Sequence, residues 1–358
     1  MPSDYLPAAL TLLSAFAIAA VASPFAGWLG RRLGVVDAPG GRRQHRGLVP
    51  RIGGVGLFAG FFVTALGLYL AGVVQAEHRQ PIIGLLLGTG FVFVFGLADD
   101  RYNFKAAPQF VAQLVAAGIA IAFTIWIEVV TLPFTTRPTT FPWFITYPLT
   151  VAWVVVMMNT VNFLDGLDGL ASGVGAIAAS LFAIHSYRLN QPETALYSLA
   201  LAGACLGFLV FNVHPARIFL GSAGALTLGY VLATLSILAP ARVMTALLIM
   251  VVPVVDTGFQ AFDRWRRGKS PFRGDRGHLH FRLLDRGYSQ RAIVFGYWAF
   301  CAVFGAMVLF IPRVYKLVAL GLLGVAVVVV LMVLSRARPS GSQAAHQSQD
   351  SSAEDASE

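Results

Sequence analysis

The sequence has few charged residues and very few cysteines. Only 12% of its 358 residues are charged and two are cysteine, whereas 57% are hydrophobic. Soluble domains carry about 25% charged residues, so this composition excludes a soluble globular protein. The long apolar runs exclude a disordered or collagen-like chain, and two cysteines are too few for a disulfide scaffold. A membrane protein is the class that remains.

The apolar residues form about eleven segments, each near the 20 residues that a transmembrane helix requires. Polar residues or Gly/Pro breaks separate the segments, which span 5–30, 52–74, 81–98, 107–128, 145–163, 170–187, 194–212, 223–239, 242–262, 292–311 and 315–334. The first is too long and too poorly flanked for a cleaved signal peptide. We therefore predict an all-α fold, a polytopic integral membrane bundle of about eleven transmembrane helices.

The basic residues indicate how this bundle is oriented. The formal net charge is +9, and most of the 26 Lys and Arg residues fall on one side when alternate loops are assigned to opposite sides. Such loops are cytoplasmic in membrane proteins, which places the N-terminus outside and the C-terminus in the cytoplasm. The positive charge therefore does not indicate a nucleic-acid partner. Residues 1–334 are predicted as the membrane domain and 335–358 as a disordered tail.

Acidic residues gather on the same side, although the orientation rule is nearly blind to Asp and Glu. Asp99 and Asp100 are adjacent at the end of the third segment. Neighbouring carboxylates repel each other, which favours a bound divalent cation or a shared proton. A solvated helix end is an equally good explanation of this pair taken alone.

A second polar motif ends the fifth segment. Asn159, Asn162 and Asp165 are three residues apart, and Asp168 follows at a glycine-broken turn. Helical residues at this spacing share one face. Because amides and carboxylates in apolar surroundings need partners, the motif predicts a site for a metal, a phosphate, a ribose hydroxyl or a base edge.

Two loops on the basic side suggest phosphate binding. Arg43 and His45 precede Gly53 and Gly54, whose backbone could let a phosphate approach a helix start, although positive-inside charge also explains the arginines. The longest loop contains His278 and His280. No third ligand for zinc is nearby, so phosphate binding is favoured over zinc, and a solvated basic loop is the alternative.

In their order along about residues 30–290, these motifs resemble the polyprenyl-phosphate N-acetylhexosamine-1-phosphate transferase superfamily, glycosyltransferase family 4. The motifs are Asp37-Ala-Pro with Arg42-Arg43-Gln-His45, Pro50-Arg-Ile-Gly-Gly, Asp99-Asp100, Asn159 through Ala171, Phe211-Asn212 with Pro215-Ala216, Phe219-Leu-Gly-Ser222-Ala-Gly224, Pro253-Val-Val-Asp256 and His278-Leu-His280-Phe. The last resembles the undecaprenyl-phosphate GlcNAc-1-phosphate transferase branch more than the branch that makes peptidoglycan lipid I.

The resemblance implies that undecaprenyl phosphate attacks the β-phosphorus of a UDP-N-acetylhexosamine, releasing UMP and starting a cell-envelope glycan. It also implies Mg²⁺, with Mn²⁺ as an alternative, and a bacterial inner-membrane enzyme whose active site faces the cytoplasm; a homodimer is left open. The implied catalytic residues are Asp99, Asp100, Asp165 and Asp168, and the implied substrate-binding residues are Arg43, His45, Asn159, Asn162, His278 and His280. The implied metal ligands are Asp99, Asp100, Asp165 and the residue at position 222.

Position 222 departs from the family pattern, because Ser222 stands where the family has a metal-binding acidic residue. A hydroxyl can coordinate a metal but supplies no negative charge. Position 222 therefore leaves three explanations open: a natural enzyme with altered metal binding, a weakened or inactive relative that binds lipid phosphate or a partner, and an engineered substitution. A secondary transporter is a separate and more remote alternative. A transporter would show internal repeats and polar residues near mid-membrane, and neither is evident here.

Overall fold

The structure, a computed structural model, describes residues 5–37, 47–130, 139–238, 242–268, 277–311 and 313–336. Over these residues it has thirteen α-helices: α1 (Tyr5–Arg32), α2 (Gly54–Leu70), α3 (Arg79–Tyr102), α4 (Ala106–Ala122), α5 (Trp143–Leu164), α6 (Leu170–Arg188), α7 (Pro192–Asn212), α8 (Gly221–Ile237), α9 (Arg242–Ile249), α10 (Val251–Arg266), α11 (Leu279–Asp285), α12 (Gln290–Val308) and α13 (Arg313–Arg336). Two short antiparallel ladders pair β1 (Val36–Asp37) with β2 (Val49–Pro50) and β3 (Val129–Val130) with β4 (Thr139–Thr140). The predicted polytopic helical membrane bundle is confirmed.

Each of the predicted apolar segments contains a helix. Seven described helices are long and apolar enough to cross a membrane, and α9 with α10 makes an eighth if this bent pair is one span. The apolar helices α2, α4 and α8 have 17 residues each, the lower end of the range that spans a bilayer. The total of about eleven spans and the orientation of the termini remain predictions. The predicted tail lies outside the described residues from position 337 onward.

The ninth segment is not the single helix that its hydropathy predicts. Helix α9 ends at Ile249. Helix α10 begins at Val251, makes an angle of 80° with α9 and continues to Arg266. Pro253 lies in the first turn of α10, where a missing backbone N–H is tolerated. The prediction of one helix over 242–262 is therefore wrong, because the segment forms two helices and the second ends at Arg266.

Helix α8 lies at the centre of the bundle and is buried on all sides. Its apolar residues include Leu228, Val231 and Leu232, none of them exposed. It packs against α2, α3 and α5, and small residues allow the closest of these contacts. A Cβ added at Gly54 of α2 would lie 2.2 Å from the Gly224 nitrogen, and one at Gly96 of α3 would lie 2.4 Å from the Ala223 Cα. The first turn of α8 is thereby held between α2 and α3.

The Gly53-Gly54 pair serves this packing. The Gly53 and Gly54 amides donate to the carbonyls of Phe219 and Leu220 at 2.9 and 2.8 Å, and the Phe219 amide donates to the carbonyl of Pro50 at 2.9 Å. The space beside Gly54 is filled by the backbone of Gly224. The interpretation of these glycines as an approach for phosphate is therefore wrong, since they admit another helix.

Candidate active site

The carboxylates of Asp99 and Asp100 are both buried but have different neighbours. Asp99 accepts hydrogen bonds from the Gln109 side chain, at 3.0 Å to each oxygen, and from the Phe104 amide at 2.9 Å. Asn103 ends α3 in the left-handed conformation with φ of 49°, which turns the chain toward α4. Asp99 therefore ties the end of α3 to the beginning of α4.

Asp100 closes the N-terminus of α8. Its two carboxylate oxygens accept hydrogen bonds from the Ser222 amide at 2.7 Å and the Ala223 amide at 3.0 Å. These amides belong to the first turn of α8, whose N–H groups and dipole favour a negative charge. Arg51 lies 3.9 Å from one of the same oxygens. A residue 122 positions away in sequence thus acts as the cap that α8 lacks locally.

Asp165 completes an acidic cluster at this place. It follows directly after α5, and its pKa is raised well above the usual range, first by burial and then by the negative charges of Asp100 and Asp168. Arg51 and the backbone N–H of Gly221 act in the opposite direction. We name Asp100, Asp165 and Asp168 the carboxylate cluster. It joins the ends of α3 and α5 to the start of α8.

Asp168 is held by His214, a histidine outside the motifs considered above. Its Oδ2 lies 2.7 Å from His214 Nδ1 and accepts the Ala216 amide at 3.1 Å. The neighbouring Asn212 accepts from the Gly169 amide at 3.1 Å and from Ser172 at 2.8 Å. The Phe211-Asn212 and Pro215-Ala216 motifs flank His214, and they were the signal that could have found it.

The two asparagines lie on α5, before the cluster. Asn159 bonds reciprocally with Gln113 of α4, at 2.7 and 3.3 Å, and donates to the Val155 carbonyl at 2.8 Å. Asn162 is half-buried one turn closer to Asp165. The polar stripe predicted along α5 is therefore present, and its first member joins α5 to α4.

An apolar groove of about 550 Å³ lies between α4 and α5. Phe110 and Leu114 of α4 line it together with residues of α5 that include Trp143, Tyr147, Val151 and Val155. Gln109 and Gln113, which precede Phe110 and Leu114 in the chain, bond to Asp99 and Asn159. The groove residues on α4 therefore directly follow the two glutamines in sequence, and Trp143 places one part of the groove at the start of α5.

His278 and His280 lie at the start of α11, and His280 lies near the carboxylate cluster. Both are buried, and an added Cβ at Gly166 would come within 2.6 Å of His280 Nε2, so this ring packs against the loop between Asp165 and Asp168. Burial lowers the pKa of His280 to about 3, and His278 adds to this effect. His280 is therefore neutral at physiological pH. The other predicted basic-loop residues, Arg43 and His45, lie outside the described residues.

The carboxylate cluster does not form a complete metal site by itself. Among the described residues, no three His, Cys, Asp or Glu side chains form a complete metal-binding group. Mg²⁺ usually takes one or two protein carboxylates and completes its shell with water and substrate phosphates. Asp165, beside the charges of Asp100 and Asp168, matches this pattern. Ser222, at the start of α8, adds a hydroxyl but no charge.

Comparison with known proteins identifies the family. The sequence pattern of glycosyl transferase family 4 matches residues 82–240. The chain is similar to a probable undecaprenyl-phosphate N-acetylglucosaminyl 1-phosphate transferase of Bacillus subtilis, with 34% identity over 74% of this chain and 73% of the relative. The chain belongs to glycosyl transferase family 4. The resemblance inferred from the motifs is confirmed.

Two further relatives of this family-4 chain extend the similarity over more of its length. A decaprenyl-phosphate N-acetylglucosaminephosphotransferase of Mycolicibacterium smegmatis is 34% identical over 91% of this chain and 89% of the relative. A phospho-N-acetylmuramoyl-pentapeptide-transferase of Halalkalibacterium halodurans is 30% identical over 84% and 96%. These names cover both branches that the motifs distinguish.

Proposed function

We propose that this protein transfers N-acetylglucosamine 1-phosphate, or a related N-acetylhexosamine 1-phosphate, from a UDP-sugar to undecaprenyl phosphate. The observation that carries the proposal is the carboxylate cluster at one end of the bundle, and the apolar groove between α4 and α5 supports it. Relatives at 34% identity are named as transferases that act on polyprenyl phosphates. This similarity does not favour a weakened relative or a transporter.

In the proposed reaction, an oxygen of the lipid phosphate forms a bond to the β-phosphorus of the donor. The bond between that phosphorus and the α,β-bridging oxygen breaks, and UMP leaves with the bridging oxygen. Such a transfer depends on alignment of the reactants and neutralisation of charge more than on covalent chemistry by the protein. The residues of this chain therefore have to bring two anionic phosphates together.

The α4–α5 groove suits the acceptor. Its lining is apolar, as an isoprenoid chain requires. Gln109, which bonds to Asp99, directly precedes Phe110 of the groove. We assign Asp99 to the acceptor side of the site, where the lipid phosphate enters, and the turn with His278 and His280 to the donor side.

The carboxylate cluster suits Mg²⁺ bound together with the donor. Asp165 would hold the ion, with Asp168 or Asp100 as the second carboxylate and Ser222 as a neutral neighbour. The bound ion would supply positive charge next to the diphosphate. Arg51, which lies beside Asp100, would add a fixed positive charge at the same place.

The test is UMP release by the purified full-length protein with UDP-GlcNAc, undecaprenyl phosphate and Mg²⁺. We expect UMP and a lipid-linked pyrophosphoryl sugar in equal amounts, with neither formed when the acceptor or Mg²⁺ is omitted. Parallel assays with UDP-GalNAc and UDP-MurNAc-pentapeptide identify the donor. Folded protein that releases no UMP from any of these donors would contradict the proposed function.

The proposed magnesium site makes a prediction at position 222. The change Ser222→Asp adds a carboxylate to the first turn of α8, and we expect the Mg²⁺ concentration for half-maximal rate to fall about tenfold. A tenfold gain corresponds to about 1.4 kcal/mol, which is within the attraction of one further charge near a protein surface. Ser222→Asn is the control, because it matches the size of aspartate without its charge. Equal Mg²⁺ dependence of the two variants would refute the assignment.

A further inference from the structure

One face of α10 carries a buried polar stripe that the proposed reaction does not use directly. Asp256, Gln260 and Arg264 are four residues apart and therefore lie one above another on the helix. All three are at most 4% exposed, although they belong to residue types that are seldom fully buried. We name these three residues the α10 stripe. Each of them contacts the same short segment, Gly277–Leu279.

The contacts of the α10 stripe are specific for that segment. Asp256 accepts from the Leu279 amide at 3.1 Å, and its other oxygen lies 2.9 Å from His278 Nδ1. The Gln260 side chain donates to the Gly277 carbonyl at 2.5 Å. Arg264 lies 3.5 Å from His278 Nε2. The segment is thus held through its backbone on both sides of His278 and through both nitrogens of the imidazole.

These contacts fix the proton of His278. A carboxylate can only accept, so the 2.9 Å contact with Asp256 places a proton on Nδ1 of His278, and the Arg264 guanidinium, which can only donate, lies on the Nε2 side. The His278 ring also faces Phe163 of α5, with 5.0 Å between ring centroids. The stripe therefore sets both the tautomer and the orientation of His278.

The segment in turn places His280 at the carboxylate cluster. His280 is 1% exposed, and neither of its ring nitrogens has a hydrogen-bond partner among the described residues. Its Nε2 packs against Gly166, between Asp165 and Asp168. A buried imidazole without a partner costs free energy that a binding site recovers when a ligand arrives. A small displacement of the Gly277–Leu279 segment would move the His280 ring away from the carboxylate cluster.

We propose that Asp256, Gln260 and Arg264 are positioning residues, which hold His278 and His280 against the Asp165–Asp168 loop for the transfer reaction. The inference rests on the proposed function, and it assigns to α10 the task of building the donor side of the site. Asp256 is its central member because it bonds to both the imidazole and the backbone.

The first test is Asp256→Asn. An asparagine amide has one acceptor and one donor end, so it cannot accept from both His278 Nδ1–H and the Leu279 amide. If the His278 proton moves to Nε2, this N–H faces the N–H groups of the Arg264 guanidinium. Two hydrogen-bond donors then oppose each other, which is unfavourable. We expect kcat to fall about 10- to 100-fold, the scale seen for carboxylates that orient metal-bound imidazoles, with KM for the UDP-sugar changed less than threefold.

The rescue variant separates positioning from general damage. In Asp256→Asn/Arg264→Gln, the opposing guanidinium is gone, so His278 can carry its proton on Nε2. We expect kcat to recover to within about fivefold of the unmodified protein. Purely structural roles predict that the two losses multiply, because destabilising changes add in free energy. Losses that multiply would overturn the proposal.

Matched controls lie on the same helix outside the α10 stripe. Asp263 bonds to Arg266 and Arg267, and the side chains of these arginines are more than half exposed. Asp263→Asn and Arg266→Gln repeat the charge changes away from the Gly277–Leu279 segment, and we expect kcat within twofold of the unmodified protein. If Asp256→Asn does not fold, Gln260→Ala tests the positioning role of the α10 stripe by removing the hydrogen bond to the Gly277 carbonyl. Unchanged kcat in that variant would also overturn the proposal.

A measurement without turnover distinguishes this inference from the proposed function. The ¹⁵N shifts of the His278 ring, assigned with a His278→Gln variant, report which nitrogen carries the proton. We expect the Nδ1–H form in the unmodified protein and the Nε2–H form in the double variant. A protein that has these tautomers but releases no UMP would refute the proposed function and would still support the positioning role of the α10 stripe. An Nε2–H form in the unmodified protein would refute the positioning role of the α10 stripe.

Discussion

Replacing Asp165 by asparagine lowers kcat by about 10²- to 10³-fold, the scale of losing one preorganised electrostatic partner in an active site. The expectation follows from the position of this carboxylate between Asp100 and Asp168, where like charges and burial raise its pKa. Such a charge is unfavourable unless a cation balances it. Asparagine keeps the shape of the side chain and removes the charge, so UMP release measures the electrostatic contribution alone.

The same Asp165→Asn change should not lower the stability of the fold. Because the folded protein raises the pKa of Asp165, the ionised carboxylate destabilises the fold at pH values above its unfolded pKa. Asparagine removes this cost, so the unfolding temperature measured without Mg²⁺ at neutral pH should stay constant or rise. Asp263→Asn, with its two arginine partners, is the control and should leave kcat unchanged. A loss of activity that parallels a fall in unfolding temperature would show a structural role instead.

The second large effect is expected at the contact between α2 and α8. Gly54→Ala places a methyl group 2.2 Å from the Gly224 nitrogen and 2.6 Å from its Cα. These are backbone atoms of a buried helix, so they cannot rotate away as a side chain could. Overpacking of this kind costs about 1–3 kcal/mol or more, and small residues are what allow membrane helices to approach closely. We expect the unfolding temperature in detergent to fall by several degrees, with loss of activity.

Gly67→Ala on the same helix is the matched control. A Cβ at Gly67 has no atom within 4 Å, and alanine is the better helix former by about 1 kcal/mol. Unfolding followed by size-exclusion chromatography after heating should therefore show Gly67→Ala unchanged or more stable. If both variants unfold at the same temperature, the close contact between α2 and α8 is not limiting for stability.

The helices could be predicted from the sequence because their signal is local. Each apolar segment contains a helix, since some 20 apolar residues specify one regardless of their neighbours. The break after Ile249 escaped this reasoning, because hydropathy remains high across it. Pro253 carried a hint, but a proline in the first turn of a helix is compatible with either one helix or two.

The site was predictable in its residues but less so in their tasks. Asp165 and Asp168 were identified from spacing, and they do lie together beside Asp100. That Asp100 caps α8 could not be read from the sequence, because the amides it binds lie 122 and 123 positions later. For the same reason His214 was passed over and Gly54 was misinterpreted, since their partners Asp168 and Gly224 are distant in the chain.

The groove between α4 and α5 opens at the surface of the bundle, where Trp143 is 70% exposed. As the proposed route of the acceptor, it admits a molecule that diffuses in two dimensions and never enters the aqueous phase. The quantity that fills the groove is then the mole fraction of polyprenyl phosphate in the surrounding bilayer or micelle. Adding inert detergent dilutes the acceptor even when its amount per volume is constant, so rates are comparable only at equal surface composition.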